Sequence, residues 1–269
     1  MHSMKKIILC SDDFAQNTPV SRGILKLVDQ QRLSAVSCFT DSPLWEQYGP
    51  ELSEYRDYVD TGLHFNLTHD FCCFNHPLGY WLVRSAIAQL PLEKIRESLH
   101  RQFSEFIRVT GRVPDFIDSH QHVHILPGIR QVLLDYLVSQ NLIHALYIRS
   151  VVPMISSGGD AWLKSFVIKR LATGWQSAII DCCATNTNFA GVYSLKESRN
   201  YPVLFQGWLQ MCETGSLIMC HPGLESDDEK DIIRRARVAE YQFFQSDQFP
   251  EMCKRMDVRI TRFSDHNGH

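Results

Sequence analysis

The sequence predicts an α/β fold, a TIM-like (β/α) barrel, irregular or incomplete, in one domain spanning residues 1–269. Three observations carry this. Short apolar and β-branched runs alternate with segments of helical periodicity along nearly the whole chain, which implies a parallel sheet covered by helices. The 269 residues, 44% hydrophobic and 21% charged, suffice for one large barrel or two small domains, and a barrel satisfies the alternation most economically. Polar residues with chemical potential follow the C-terminal ends of several predicted strands, the face on which such barrels gather their sites.

Lys5 to Cys10 reads as a buried first strand, with Ser11-Asp12-Asp13-Phe14 directly behind it. Adjacent carboxylates there serve either as a turn or helix cap, where Asp is favoured, or as part of a site. Asn17 is placed to cap a helix carrying Val20, Ile24, Leu27 and Val28, and Leu33 to Phe39 alternates as a second strand. Trp45 to Tyr55 is a further helical segment. Tyr58 to Leu67 is a third strand interrupted by His64, either a satisfied core histidine or a ligand.

Thr68 to about Leu90, with Cys72, Cys73, His76, Tyr80 and Trp81, shows little periodicity and reads as a long loop of the kind that carries function. Pro91 opens a strong helix with Ile95, Leu99, Phe103 and Phe106 on one face, ended by Gly111. Pro127 starts another helix through Leu134 and Leu137, and Leu142 to Ile148 is a strand ending at Arg149. Residues 150–201 are the least legible part, apart from a helical look to Trp162–Leu171. Pro202 to Cys212 reads as helix and Ser216 to Cys220 as a buried strand ended by His221-Pro222-Gly223. Glu229 to Phe244 is a helix charged on one side, and Val258 to Phe263 the last strand.

The densest chemistry follows the strand that begins at Pro114. Asp118-Ser119-His120-Gln121-His122-Val123-His124 brings a carboxylate and three imidazoles together. In extended backbone all three rings share a face, and in a helical turn His120 and His124 do, so His120 and His124 point together on either reading. Neutral imidazole is the commonest protein metal ligand, although a histidine cluster at a surface can also bind nothing in particular.

Other functions are disfavoured. The formal charge is −3 with scattered Lys and Arg, which leaves no electrostatic footprint for nucleic acid. No apolar run reaches membrane-spanning length, and the run after the basic N-terminus is too short for a signal peptide. Nine cysteines, an odd number with no C-x-x-C pair, fit free thiols in a reducing cytoplasm. Nothing in the composition excludes a homodimer.

Taken together, Asp12-Asp13-Phe14, Gly62-Leu63-His64-Phe65-Asn66-Leu67-Thr68, Gly111-Arg112-Val113-Pro114 leading into Asp118 to His124, and Cys220-His221-Pro222-Gly223 resemble the YdjC-like carbohydrate deacetylases, which include chitooligosaccharide and hopanoid-associated types. Two departures stand out: Ala15 where the family usually has Gly, and the stretch from His69 to His76. The resemblance implies a (β/α) barrel, one divalent metal ion such as Mg or Zn, and hydrolysis of an N-acetyl group from an amino sugar or oligosaccharide. Carried over to this chain, it makes Asp13, His64 and His120 metal ligands, Asp12 the general base and His221 a proton donor. His124 and Arg149 are further candidates for the site. The motif order is also similar to the polysaccharide deacetylases of carbohydrate esterase family four, whose H-x-x-x-H spacing His120 and His124 share. Tyr80 and Trp81 become candidates for stacking on the substrate sugar. The rival expectations are a barrel metallohydrolase acting on another amide, ester or phosphate, and a metal-binding protein that has lost turnover.

Overall fold

The computed structural model describes residues 4–265 except 153, 155–173, 176–178, 180–182 and 196–199. Eight strands, β1 (Lys5–Phe14), β2 (Ala35–Cys38), β3 (Asp60–Phe65), β4 (Phe116–Ser119), β5 (Tyr147–Ile148), β6 (Phe189–Ala190), β7 (Leu217–Cys220) and β8 (Val258–Ile260), form one sheet. The order is β5-β4-β3-β2-β1-β7-β6, with β8 added on β1, and every pairing is parallel. The outer strands are linked by an irregular seam: the Ile148 N–H donates to the Ala184 carbonyl at 2.9 Å, and Asn186 bonds Ser150 N and O at 2.8 and 3.0 Å. The predicted barrel is therefore present in irregular form.

Among the described residues the helices are α1 (Thr18–Asp29), α2 (Trp45–Ser53), α3 (Leu78–Ala86), α4 (Leu92–Thr110), α5 (Ile129–Ser139), α6 (Tyr201–Met211), α7 (Arg234–Gln245) and α8 (Gln248–Arg255), with a 3₁₀ segment at His120–Ile125. Local chemistry explains the predicted ones. Asn17 Oδ1 accepts the Val20 N–H at 2.9 Å to cap α1. Gly111, at φ 71°, closes α4 in the left-handed conformation. Gly62 is required for another reason, since any Cβ there would collide with the Phe116 ring on the neighbouring strand.

Three segments differ from expectation. The expected loop from Thr68 to Leu90 contains α3, whose Trp81 and Ser85 are buried one turn apart. Trp81 Nε1 donates to the Leu67 and His76 carbonyls at 2.9 and 3.0 Å, and Ser85 Oγ to the Pro127 carbonyl at 2.7 Å, so tertiary contacts hold a helix that its own periodicity does not declare. The helix expected from Glu229 begins at Arg234, because the Asp228 and Asp231 carboxylates accept the N–H groups two residues on and hold turns instead. A separate α8 follows α7, with Phe249, Met252 and Cys253 buried at helical spacing. The expected helix at Trp162–Leu171 lies outside the described residues.

Candidate active site

At its C-terminal end β1 slips register against β2 between Ser11 and Phe14, and Asp13 takes a left-handed φ of 66°. Such an irregularity re-aims side chains that a regular strand would send to opposite faces. Ala15 is also left-handed, at φ 70°, which is the physical reason for Gly where the family usually has it. The two carboxylates acquire separate partners.

Asp12 is clasped by Arg149: Nη1 donates to Oδ2 at 2.7 Å and Nη2 to Oδ1 at 2.6 Å. Nη2 also lies 2.5 Å from Asp118 Oδ2 and 2.8 Å from Cys10 Sγ. Arg149 is fully buried, which works against its charge, yet Asp118 and Asp12 outweigh burial and keep it a cation. Burial likewise opposes ionisation of Asp118, but Arg149 and His64 bring its carboxyl down to about 2.

His64 stands opposite Asp118 in the β3–β4 register, with Nδ1 2.7 Å from Asp118 Oδ1 and 2.9 Å from Ser37 Oγ. Because a carboxylate can only accept, Nδ1 carries the proton, and Nε2 is turned toward Asp13 Oδ1 at 3.4 Å. Burial disfavours a charged His64, but Asp118 and Asp13 push its pKa up to about 10, so Nε2 faces enough negative charge to hold either a proton or, in its place, a metal cation. His120 has its Nδ1 on Thr68 Oγ1 at 2.7 Å, leaving Nε2 for other use, and its ring centroid is 5.8 Å from that of His64. Burial lowers His120 to about 3, so it is neutral, the form that ligates.

Asp13 Oδ2 accepts from Arg237 Nη2 at 2.8 Å, while Oδ1 is buried with no hydrogen-bond partner. Burial alone would favour the acid, but Arg237 and His64 hold Asp13 well below the usual carboxylate range. Arg237 is itself braced by Asp231 and Gln16, each at 2.7 Å. A buried anionic oxygen with no close hydrogen bond, 3.4 Å from His64 Nε2 and beside two imidazoles whose other nitrogens are engaged, suits by donor chemistry a cation held by Asp13, His64 and His120. Among the described residues the group whose ligand atoms all lie within 4.8 Å of one another is a different one, Cys10, Asp12 and Asp118. There Arg149 donates to both oxygens of Asp12 and lies against Asp118 and Cys10, whereas Arg237 engages one oxygen of Asp13 and leaves the other open.

His124 does not join His120. Gln121 and His122 are left-handed, at φ 53° and 58°, so the segment is neither the extended strand nor the regular turn in which the two rings would share a face. His124 Nδ1 bonds Ser119 Oγ at 2.6 Å and Nε2 faces the Arg149 carbonyl at 3.1 Å, leaving no nitrogen for a metal. His124 is thus a support for the Arg149 backbone, and the H-x-x-x-H spacing does not mark a ligand pair here. His122 packs its ring against Phe189.

Trp81 is fully buried and both its indole hydrogen bonds are internal, which corrects its expected role in stacking on substrate. Tyr80 packs on His76 with centroids 3.9 Å apart and the rings tilted by 30°, and lies edge-on to Trp81. The aromatic that reaches the site is Phe39, whose ring lies 5.0 and 5.3 Å from His64 and His120, with Phe71 and His69 packed around it. His221, at the end of β7, is nearly buried; its N–H is bonded to the Glu240 carboxylate, and its Nδ1 has no partner. Tyr193 Oη donates to the same Glu240 at 2.5 Å. Phe39, Thr68, Arg237 and Glu240 escaped the sequence reading. Arg237 and Glu240 sit within a charged helix whose spacing reads as a solvated face.

A family model described as YdjC-like protein matches residues 6–255. The chain belongs to the YdjC-like family. It is 33% identical to a chitooligosaccharide deacetylase of Serratia marcescens over 147 residues, 51% of this chain and 58% of that one. It is 31% identical to a carbohydrate deacetylase of Mus musculus over 147 residues, 49% and 47% of the two chains. The match thus spans about half the length of these curated relatives. Among solved structures, a protein of Enterococcus faecalis V583 provisionally assigned to cellobiose-phosphate cleavage superposes with a TM-score of 0.73 at 16% identity, covering 98% of this chain and 99% of its own. That likeness is one of fold, and the YdjC-like chain shares it along nearly the full length of the Enterococcus protein.

Proposed function

We propose that this YdjC-like protein is a metal-dependent hydrolase that removes an acetyl group from the nitrogen of an amino sugar, alone or in an oligosaccharide. The observation that carries the reading is Asp13 Oδ1, buried without a close hydrogen bond and facing His64 Nε2 at 3.4 Å, with a clasped carboxylate and an imidazole nitrogen without a hydrogen bond at the same strand ends. The names borne by the Serratia and mouse relatives support the substrate class.

Asp13, His64 and His120 would hold the divalent cation, Mg or Zn, which polarises a carbonyl and acidifies a bound water. Asp12 is the base. Arg149 takes one lone pair from each of its oxygens, and the remaining pairs can accept a proton from the attacking water. The clasp orients that carboxylate and prevents it from turning away. His221, with Nδ1 unpartnered and its backbone fixed by Glu240, protonates the departing amine. Arg237 fixes Asp13 through Oδ2, so that only Oδ1 is presented.

Among the described residues no helix is long and apolar enough to cross a membrane. The free thiols of Cys10, Cys38, Cys72, Cys73 and Cys220 suit a reducing compartment such as the cytoplasm. The test is acetate release from N-acetylated chitooligosaccharides by protein supplied with Mg or Zn. Absence of acetate with both metals, alongside hydrolysis of an aryl phosphate or ester, would replace the deacetylase with another barrel hydrolase.

A further inference from the structure

Gln102 sits midway along α4 on its apolar face, fully buried, where a polar side chain costs free energy unless its hydrogen bonds are made. Two of its three bonds go to one residue. Its Oε1 accepts the Asn66 N–H at 2.8 Å and its Nε2 donates to the Asn66 carbonyl at 2.8 Å, with Ser98 Oγ taking the other amide hydrogen at 3.0 Å. The side chain thus holds both main-chain groups of Asn66, the first residue beyond β3, as a neighbouring strand would.

Asn66, also fully buried, folds the chain behind it. Its Oδ1 accepts the Thr68 and His69 N–H groups at 3.0 and 2.8 Å, and its Nδ2 donates to Asp41 Oδ2 at 2.9 Å. Backbone N–H groups only donate, so Oδ1 has to face the turn and Nδ2 to face Asp41. This turn delivers the Thr68 hydroxyl to His120, with Oγ1 2.7 Å from Nδ1. A neutral imidazole carries one proton, and the partner of one nitrogen decides what the other can do. A hydroxyl that accepts from Nδ1–H leaves Nε2 its lone pair, and one that donates to Nδ1 puts the proton on Nε2.

We infer that Thr68 is a positioning residue for His120: held by Asn66 and, through it, by Gln102 of α4, its hydroxyl accepts from Nδ1–H and keeps Nε2 open as a metal ligand. The inference rests on the reading of His120 as a ligand and deepens it. A run of three side chains, Gln102, Asn66 and Thr68, carries the choice of tautomer at the site back to a helix that packs on β3.

The experiment records the imidazole nitrogen resonances of the metal-free full chain, and its calorimetric titration with zinc, for the parent, Thr68→Val, Thr68→Ser and Asn66→Ala. The parent should carry the His120 proton on Nδ1. Thr68→Val matches threonine in shape but lacks the hydroxyl, so the proton should move toward Nε2 and zinc affinity should fall about ten- to a hundredfold. Thr68→Ser should restore both, and Asn66→Ala should repeat the change seen in Thr68→Val. His124, whose Nδ1 bonds Ser119 Oγ, should keep its resonances throughout, which a general loss of structure would not allow. A parent His120 protonated on Nε2, a tautomer unchanged in Thr68→Val or Asn66→Ala, or His124 resonances that move with those of His120 would overturn the inference. A parent protonated on Nδ1 that binds no zinc would refute the metal reading and keep the positioning role. Zinc bound equally by the parent and Thr68→Val would do the reverse.

Discussion

Arg149 and Asp12, 137 residues apart in sequence, meet through a two-pronged ion pair that is almost wholly shielded from water. Replacing Arg149 by Met should therefore strand Asp12 and Asp118 and destabilise the protein by about 3–5 kcal/mol, as removal of one partner of a buried pair does. Urea unfolding measures it, and a loss under about 1 kcal/mol would mean that these carboxylates find other donors.

Asp12→Asn keeps the size of the side chain but removes the base and one of the two acceptors in the Arg149 clasp. Metal content should be unchanged while turnover falls about a hundred- to ten-thousand-fold. Loss of metal from this variant, with metal retained by Asp13→Asn, would exchange the roles of the two residues.

Metal analysis of purified variants separates the histidines. Asp13→Asn, His64→Ala and His120→Ala should each come out depleted, because each loses an atom left open toward the proposed cation. His124→Gln should keep its metal and lose stability instead, since His124 spends both nitrogens on Ser119 and Arg149. A full metal complement in any of the first three would remove that residue from the ligand set.

His221→Ala should retain metal and lose most activity on amides, yet suffer far less on an activated aryl ester whose leaving group needs no proton. Equal losses on both substrates together with metal depletion would make His221 a ligand.

Asp60 gives a pH test away from the site. Its carboxylate accepts from the Phe263 N–H and the Ser264 hydroxyl at 2.8 Å each, tying the last strand's exit to β3. Burial raises it from 3.8 to about 6, so the folded state binds the proton more tightly than the unfolded chain. Its contribution to stability is then greatest below about pH 4 and declines as pH rises through 6, by up to about 3 kcal/mol. Asp60→Asn should flatten that part of the stability profile. A wild-type stability that rises from pH 4 to 6 relative to the variant would contradict the raised value.

Alternation of buried strands with amphipathic helices determined the barrel, because a parallel sheet buried on both faces needs apolar runs that sequence alone displays. The same logic determined that Asp12, Asp13, His64, Asp118, His120, Arg149 and His221 share one face, since strand ends of a parallel sheet converge whatever the loops do. Which of them touch was a tertiary matter. Two left-handed residues after His120 parted it from His124, and the β1 bulge sent Asp12 to Arg149 and Asp13 to Arg237. Periodicity reads Arg237 and Glu240 as a solvated face, and only the docking of α7 over the strand ends buries them against Asp13 and His221. Trp81 shows the converse, an aromatic in an aperiodic stretch that folds inward because two carbonyls from separate turns accept its single N–H. Spacing along a chain fixes which residues can reach a place; backbone reversals and long-range ion pairs decide which way each side chain faces once there.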